Sequence, residues 1–315
     1  MATRVLVTGG AGFIGSHLAE ALVRAGHTVR VLDDLSSGRR ENLAHLDRDI
    51  EFMQADICDT AAVKTAVAGV DTVFHQAAMA SVPRSIELPL ETNSINIGGT
   101  VALLCAARDA GVRRFVFASS SSIYGDNPVL PKSEEMSLSP ISPYGLQKQA
   151  GEKYVCMFHR LYGLETVALR YFNVFGPRQN PESDYAAVIP IFITRLLQGR
   201  APTVYGDGEQ SRDFTYVENV VRANMLCMDV PTGAVGRAYN IACGERYSLN
   251  DLLRMINAEL GTATIAEYTD PRPGDVKHSQ AAIEMARREL GFRPGIGIEE
   301  GLARTVAYYR GIMQA

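Results

Sequence analysis

Arg4-Val5-Leu6-Val7-Thr8-Gly9-Gly10-Ala11-Gly12-Phe13-Ile14-Gly15 decides how this chain folds. Val5, Leu6 and Val7 make an apolar run of strand length, and Leu18, Ala21, Leu22 and Ala25 then recur at helical spacing up to Gly26. Between them, Gly9, Gly12 and Gly15 form a G-x-x-G-x-x-G turn. Glycines there permit a tight bend and let backbone N–H groups approach a pyrophosphate at the positive end of the helix. A glycine triplet alone is a weak signal; its place between a strand and a helix makes it a dinucleotide loop.

Outward from the loop, a second strand at 28–32 ends in Asp33-Asp34, eighteen residues beyond Gly15. A carboxylate there accepts hydrogen bonds from adenosine ribose hydroxyls and repels a 2′-phosphate, which favours NAD over NADP. Arg39 and Arg40, close by, leave NADP as the alternative. Strands at 51–55, 71–78, 113–118 and 166–173 alternate with helices at 61–68 and 92–110. Such repeats predict an α/β, doubly wound parallel sheet with ligands beyond the strand C-termini. Asp56, Ile57, Ala77 and Tyr171 fall at those strand ends, and Asn96 on a facing helix. With Gly9, Gly12, Phe13, Ile14, Gly15, Asp33 and Asp34 they are the expected cofactor neighbours. His75 is expected to be a packed strand residue. Residues 1–173 read as a Rossmann domain, with returns near 213–241; residues 174–315 read as a smaller, interleaved domain.

Net charge is −4 and the pI about 5.9, so no global basic field suits nucleic acid or an anionic membrane. No run of 18 apolar residues occurs, and residues 1–10 lack a secretory core. The five cysteines are scattered without C-x-x-C spacing, which argues against a zinc or disulfide framework. The expectation is a soluble cytoplasmic protein with no metal.

A second stretch carries the chemistry. In Ser142-Pro143-Tyr144-Gly145-Leu146-Gln147-Lys148, Pro143 suits the first turn of a helix whose apolar positions continue to Leu161. Tyr144 and Lys148 then share one helix face, about 5–6 Å apart at Cβ. A phenol has a pKa near 10 and needs stabilisation of its anion to act as a base at neutral pH; a nearby ammonium is one source. Upstream, Ser119-Ser120-Ser121-Ser122 ends the 113–118 strand in a row of hydroxyls that can donate to and accept from a substrate hydroxyl. Tyr144 and Lys148, with a serine of this row, are the candidate catalytic residues.

The chain resembles the extended short-chain dehydrogenase/reductase superfamily along nearly its whole length, and within it the nucleotide-sugar 4-epimerases. The resemblance rests on TGGAGFIGSH (8–17), LDDLSSG (32–38), ADI (55–57), SSSSIYGD (119–126), SPYGLQK (142–148), LRYFNVFGPR (169–178), SRDFTYVEN (211–219) and RPGDVKHS (272–279). It implies that Tyr144 takes the proton of the sugar 4-hydroxyl while C4 gives hydride to NAD. Lys148 would hold the nicotinamide ribose and lower the Tyr144 pKa, with Ser120 as the catalytic serine, and Ser121 beside it, at the substrate hydroxyl. It further implies Asn173, Arg212 and Arg272 at the UDP diphosphate, Tyr205 by the uracil, and Gln179 and Val188 near the sugar. Dehydratase relatives carry an acidic pair where this chain has Ser121 and Ser122, so elimination is not expected. Galactose-only epimerases carry a bulky Tyr where this chain has Ser279, so the resemblance implies a UDP-N-acetylhexosamine or dual-specificity enzyme. UDP-glucose/galactose-only and UDP-glucuronate epimerases are the enzyme alternatives; a non-catalytic NAD-binding protein is the alternative from another class. Ala282 stands where relatives have Asp, and His278 is expected to be a wall residue. A homodimer through helices 93–110 and 143–161 is implied.

Overall fold

The computed structural model describes residues 2–181, 187–271 and 276–314. The strands of its central sheet are β1 (Arg4–Thr8), β2 (Thr28–Asp33), β3 (Ile50–Gln54), β4 (Thr72–His75), β5 (Arg114–Ser120), β6 (Glu165–Tyr171) and β7 (Arg237–Ile241). All pair in parallel, in the order β7-β6-β5-β4-β1-β2-β3. The order reverses between β1 and β4, which opens a crevice beyond their C-terminal ends, directly above the glycine turn. Val5, Leu6 and Val7 are each fully buried, as a strand covered on both faces requires.

Helices α1 (Phe13–Arg24), α2 (Thr60–Val67), α3 (Thr100–Asp109) and α4 (Pro143–Tyr162) connect the strands. Later come α5 (Val188–Leu197), α6 (Val217–Leu226), α7 (Leu249–Leu260) and α8 (Ile298–Gln314). One face of the sheet is covered by α1 with α6, through Leu18, Leu22, Val220 and Ala223. The other is covered by α2, α3 and α4, through Val63, Leu103, Val155 and Phe158. A separate core, from Phe175, Phe192, Leu252, Ile256, Leu302 and Val306, gathers the second-half helices.

Three expectations change. The predicted helix 92–110 is not regular: a π-helical stretch, Ser94–Gly99, precedes α3. There a Cβ on Gly99 would lie 2.7 Å from Ile57, so the widened turn brings backbone against the β3–α2 connection. Of the two returns, only β7 joins the central sheet; Thr215–Tyr216 pairs instead with Val174–Phe175. Residues 280–290 read from the sequence as a helix, and that helix shortens to Glu284–Glu289, because residues 278 and 281 make sheet-type bridges to Ser211 and Lys132.

Candidate active site

The start of α4 is built as its sequence dictates. Ser142 Oγ caps the helix by accepting from Gly145 N at 3.1 Å, and Pro143 occupies the first turn, where no N–H is needed. Glycine at 145 admits a close approach: a Cβ there would lie 2.8 Å from Ser122 O. The helix therefore seats against the hydroxyl turn that ends β5, which brings the Tyr144 phenol up to Ser120. Ser120 Oγ also lies 2.9 Å from Ser122 Oγ and accepts from Ser122 N at 3.2 Å, which completes a hydroxyl chain. Ser121 opens the short helical turn Ser121–Tyr124, half-buried beside it.

Lys148 is 4% exposed and donates from Nζ to Ala118 O at 2.8 Å. Burial lowers its ammonium to about 7. Burial pushes the Tyr144 phenol up to about 12, and its bond with Ser120 only partly opposes this. The expected lowering of the phenol by Lys148 is therefore not what the protein itself provides; desolvation wins. One turn further along, Glu152 accepts from Ser119 Oγ at 2.8 Å and forms a two-pronged pair with Arg170 of β6, at 2.7 and 2.9 Å. Arg170 Nη1 donates to Tyr124 Oη at 2.6 Å, and Tyr124 Oη donates to Asn240 Oδ1 at 2.7 Å. This dry network fixes α4 against β5, β6 and β7.

The cleft above the glycine turn is lined by Gly9, Gly12, Phe13, Ile14, Gly15, Asp33, Asp34, Asp56, Ile57, Ala77, Tyr144, Lys148 and Tyr171. Its floor fits a dinucleotide: a Cβ on Gly15 would lie 2.1 Å from Gly9 O, so only glycine lets α1 begin there. Asp33 accepts from Ala11 N and Leu35 N, both at 2.9 Å, which ties the strand end to the glycine turn. Asp34 is exposed at the rim, its Oδ1 accepting from Ser36 N at 2.9 Å. Arg40 pairs with Asp47 at 2.6 Å and stacks on Phe52. Asn96 does not line this cleft. Its amide is committed to Met79 N (2.8 Å) and Gln147 Oε1 (2.7 Å), which positions the wall from behind. The Tyr171 hydroxyl is held by Asn224 Nδ2 at 2.8 Å, so its ring, not its hydroxyl, is what it offers the cleft. His75 is a packed residue as expected: its Nδ1 and Nε2 bond Thr8 and Thr100 hydroxyls at 2.7 and 2.9 Å, and burial lowers it to about 3.

A second cavity adjoins, lined by Asn173, Val188, Tyr205 and Arg212 together with Phe192, Gln210 and Phe214. Asn173 takes a left-handed backbone at φ 32° and donates to Asp213 O at 3.4 Å. Gln179 lines the mouth between the two cavities, beside Gly12, Asp34 and Ala187. Its Nε2 donates to Val174 O at 3.2 Å, while its buried Oε1 has no partner among the described residues. Ser279 is half-buried on a strap over the strand end, its N–H donating to Ser211 O at 3.0 Å. His278 Nδ1 lies 2.9 Å from Ser211 Oγ, a wall contact. Ala282 donates through its N–H to Lys132 O at 2.8 Å, a backbone role that any side chain allows. Arg272, expected at the diphosphate, lies outside the described residues.

Sequence reading missed Gln76, Gln147, Glu152 and Asp213. Glu152 carried a usable signal, since it follows Tyr144 and Lys148 at the same four-residue interval. Gln76 and Asp213 stand at no helical or strand interval from the catalytic candidates, so spacing does not mark them.

Residues 5–242 match the model of the NAD dependent epimerase/dehydratase family. The chain is 42% identical to UDP-glucose 4-epimerase of Mycolicibacterium smegmatis, over 98% of either chain. A solved UDP-N-acetylglucosamine 4-epimerase from Methanobrevibacter ruminantium, in complex with UDP-N-acetylmuramic acid, is 42% identical with a TM-score of 0.94, and 100% of this chain and 99% of that one are covered. The Thermus thermophilus UDP-glucose 4-epimerase, in complex with NAD, is 38% identical with a TM-score of 0.88, with 98% and 99% covered.

Proposed function

The chain belongs to the NAD dependent epimerase/dehydratase family, and from that premise we propose that it inverts C4 of a UDP-hexose, with UDP-N-acetylglucosamine/galactosamine as the preferred pair and UDP-glucose/galactose as further substrates. The observation that carries the reading is the convergence of Tyr144, Lys148 and Ser120 at the edge of the dinucleotide cleft, beside a second cavity lined by Asn173, Tyr205 and Arg212. NAD, when bound, supplies a reversible hydride acceptor, so that a 4-keto sugar can link the two epimers.

The chain's own residues do the rest. Asp33, Asp34 and the glycine turn hold the adenosine half of the cofactor, and Lys148 holds its nicotinamide ribose. Tyr144 Oη takes the sugar 4-hydroxyl proton and returns it, with Ser120 sharing the hydrogen bond. Because burial holds the phenol protonated, the residue is poised as a proton donor at rest, and its base role needs added positive charge in the site. Asn173 and Arg212 hold the diphosphate and Tyr205 the uracil. Ser121 and Ser122 offer no carboxylate for elimination, which separates this site from a dehydratase.

The N-acetyl preference is supported by the small Ser279 and by the N-acetylglucosamine 4-epimerase among the relatives; the UDP-glucose epimerases at similar identity support the second substrate pair. We place the enzyme in the cytoplasm, given five free cysteines, and expect a homodimer with α4 at its interface. Among the described residues no helix is long and apolar enough to cross a membrane. Replacing Tyr144 by Phe tests the site: epimerisation should fall by about 10²–10⁴-fold with bound NAD retained, and activity within twofold of wild type would refute the assignment.

A further inference from the structure

Asn173, Arg212 and Ser279 come from three chain segments, and one buried side chain lies at their junction. Asp213 is fully buried and follows Arg212 directly. Its Oδ1 accepts from Cys243 N at 3.0 Å, and its Oδ2 from Gly244 N at 3.0 Å and Ala281 N at 3.1 Å. Its carbonyl accepts from Asn173 Nδ2 at 3.4 Å. These carboxylate partners are backbone N–H groups of two other segments, so a buried acid is used as a tether.

The segment it holds runs from 276 to 282 and lies across the 211–212 strand end. Ser211 N donates to Lys277 O and Ser279 N to Ser211 O, both at 3.0 Å. Its other edge meets Lys132, whose N–H donates to Gln280 O at 2.7 Å. Gln280 Nε2 donates to Gly244 O at 2.8 Å, a second tie between strap and turn. The strap carries Ser279 and covers the strand end that carries Arg212.

We propose that Asp213 is a positioning residue for the nucleotide-sugar pocket, clipping the Ser279 strap and the 243–244 turn to the Arg212 strand end, with Gln280 as the second tether. This rests on the reading of the second cavity as the UDP-sugar site. A carboxylate with three N–H donors makes charge-assisted bonds that a neutral isostere cannot reproduce. Asparagine of the same shape turns an NH₂ group toward at least one of those donors, and the strap shifts. Tyr144, Ser120 and Lys148 sit on α4 and β5 and make no bond to Asp213, so catalysis of bound substrate and cofactor retention are predicted to be spared.

The test compares wild type with Asp213→Asn, both purified with their cofactor. Steady-state epimerisation of UDP-glucose and UDP-N-acetylglucosamine and calorimetric binding of UDP alone are measured. Burial raises Asp213 to about 7, so the comparison is run at about pH 8.5, where the carboxylate is ionised. The expected result is a rise of about tenfold in KM and in the UDP Kd, with kcat changed less than about threefold and NAD content unchanged. A folded variant with KM and Kd within about twofold of wild type overturns the proposal, as does a loss confined to kcat. If Asp213→Asn fails to fold, Gln280→Ala removes the second tether and leaves the Asp213 bonds in place; it should raise KM and Kd about threefold, and unchanged values overturn the proposal. A wild type that neither binds UDP nor epimerises either sugar refutes the underlying site reading, and the clip with it.

Discussion

Tyr144, half-buried, and Lys148, buried, share one helix face, and desolvation moves both toward their neutral forms, the phenol up and the ammonium down. The pairing of these residues was legible from their four-residue spacing; the sign of the electrostatics was not. Sequence gives proximity, whereas the shift depends on how much water the fold removes and on the Ala118 carbonyl that claims the Lys148 ammonium. Ser279 was legible as a small residue where galactose-only epimerases carry Tyr. Its replacement by Tyr should lower kcat/KM for UDP-N-acetylglucosamine relative to UDP-glucose by about tenfold or more, measured with both sugars in parallel; an unchanged ratio would remove the specificity argument. His75 makes a prediction about pH. Its folded pKa of about 3 lies below the ordinary 6.5, so the unfolded chain binds the extra proton between those values, and stability falls as pH drops through that window. Replacing it by Phe removes this contribution. From pH 7 to pH 5, wild type should lose about 2 kcal/mol more stability than His75→Phe, read from urea unfolding at both pH values; equal losses would contradict the burial of a neutral imidazole.

At the scale of elements, α4 is the part on which the site depends. Its start was readable from Ser142 and Pro143, because cap and first-turn chemistry is local. Its registry was not, since it comes from contacts across the sheet: Gly145 against Ser122, and Glu152 against Ser119 and Arg170. Helix propensity alone predicts that Gly145→Ala stabilises α4 by up to about 1 kcal/mol. The structure predicts a different outcome. The added methyl would press on Ser122 O and separate Tyr144 from Ser120, so kcat should fall by about tenfold or more while NAD stays bound. Unchanged kcat would show that the close approach is dispensable. The π-helical stretch before α3 escaped sequence reading for the same reason: the Asn96 bonds to Met79 and Gln147 that accompany it are tertiary.

Across the whole molecule, the parallel sheet was legible because buried strands and connecting helices repeat in local pattern. The second half was less so. Its core is assembled from helices separated by irregular segments, and only β7 of the two expected returns completes the sheet. The outer face of α4 leaves Leu146 and Leu161 at 57% and 59% exposure, with Leu90 at 87% nearby, a patch suited to a second copy of the chain. Wild type should sediment as a dimer and the double variant Leu146→Asp, Leu161→Asp as a monomer; a monomeric wild type would contradict the interface.

The measurement that tests the account most directly is a product assay on the purified enzyme without added NAD, with UDP-N-acetylglucosamine and UDP-glucose supplied separately and both C4 epimers resolved by proton NMR. The account predicts conversion of both sugars, the acetylated one preferred, on cofactor carried by the enzyme. Failure to convert either, with NAD then supplied, would contradict it.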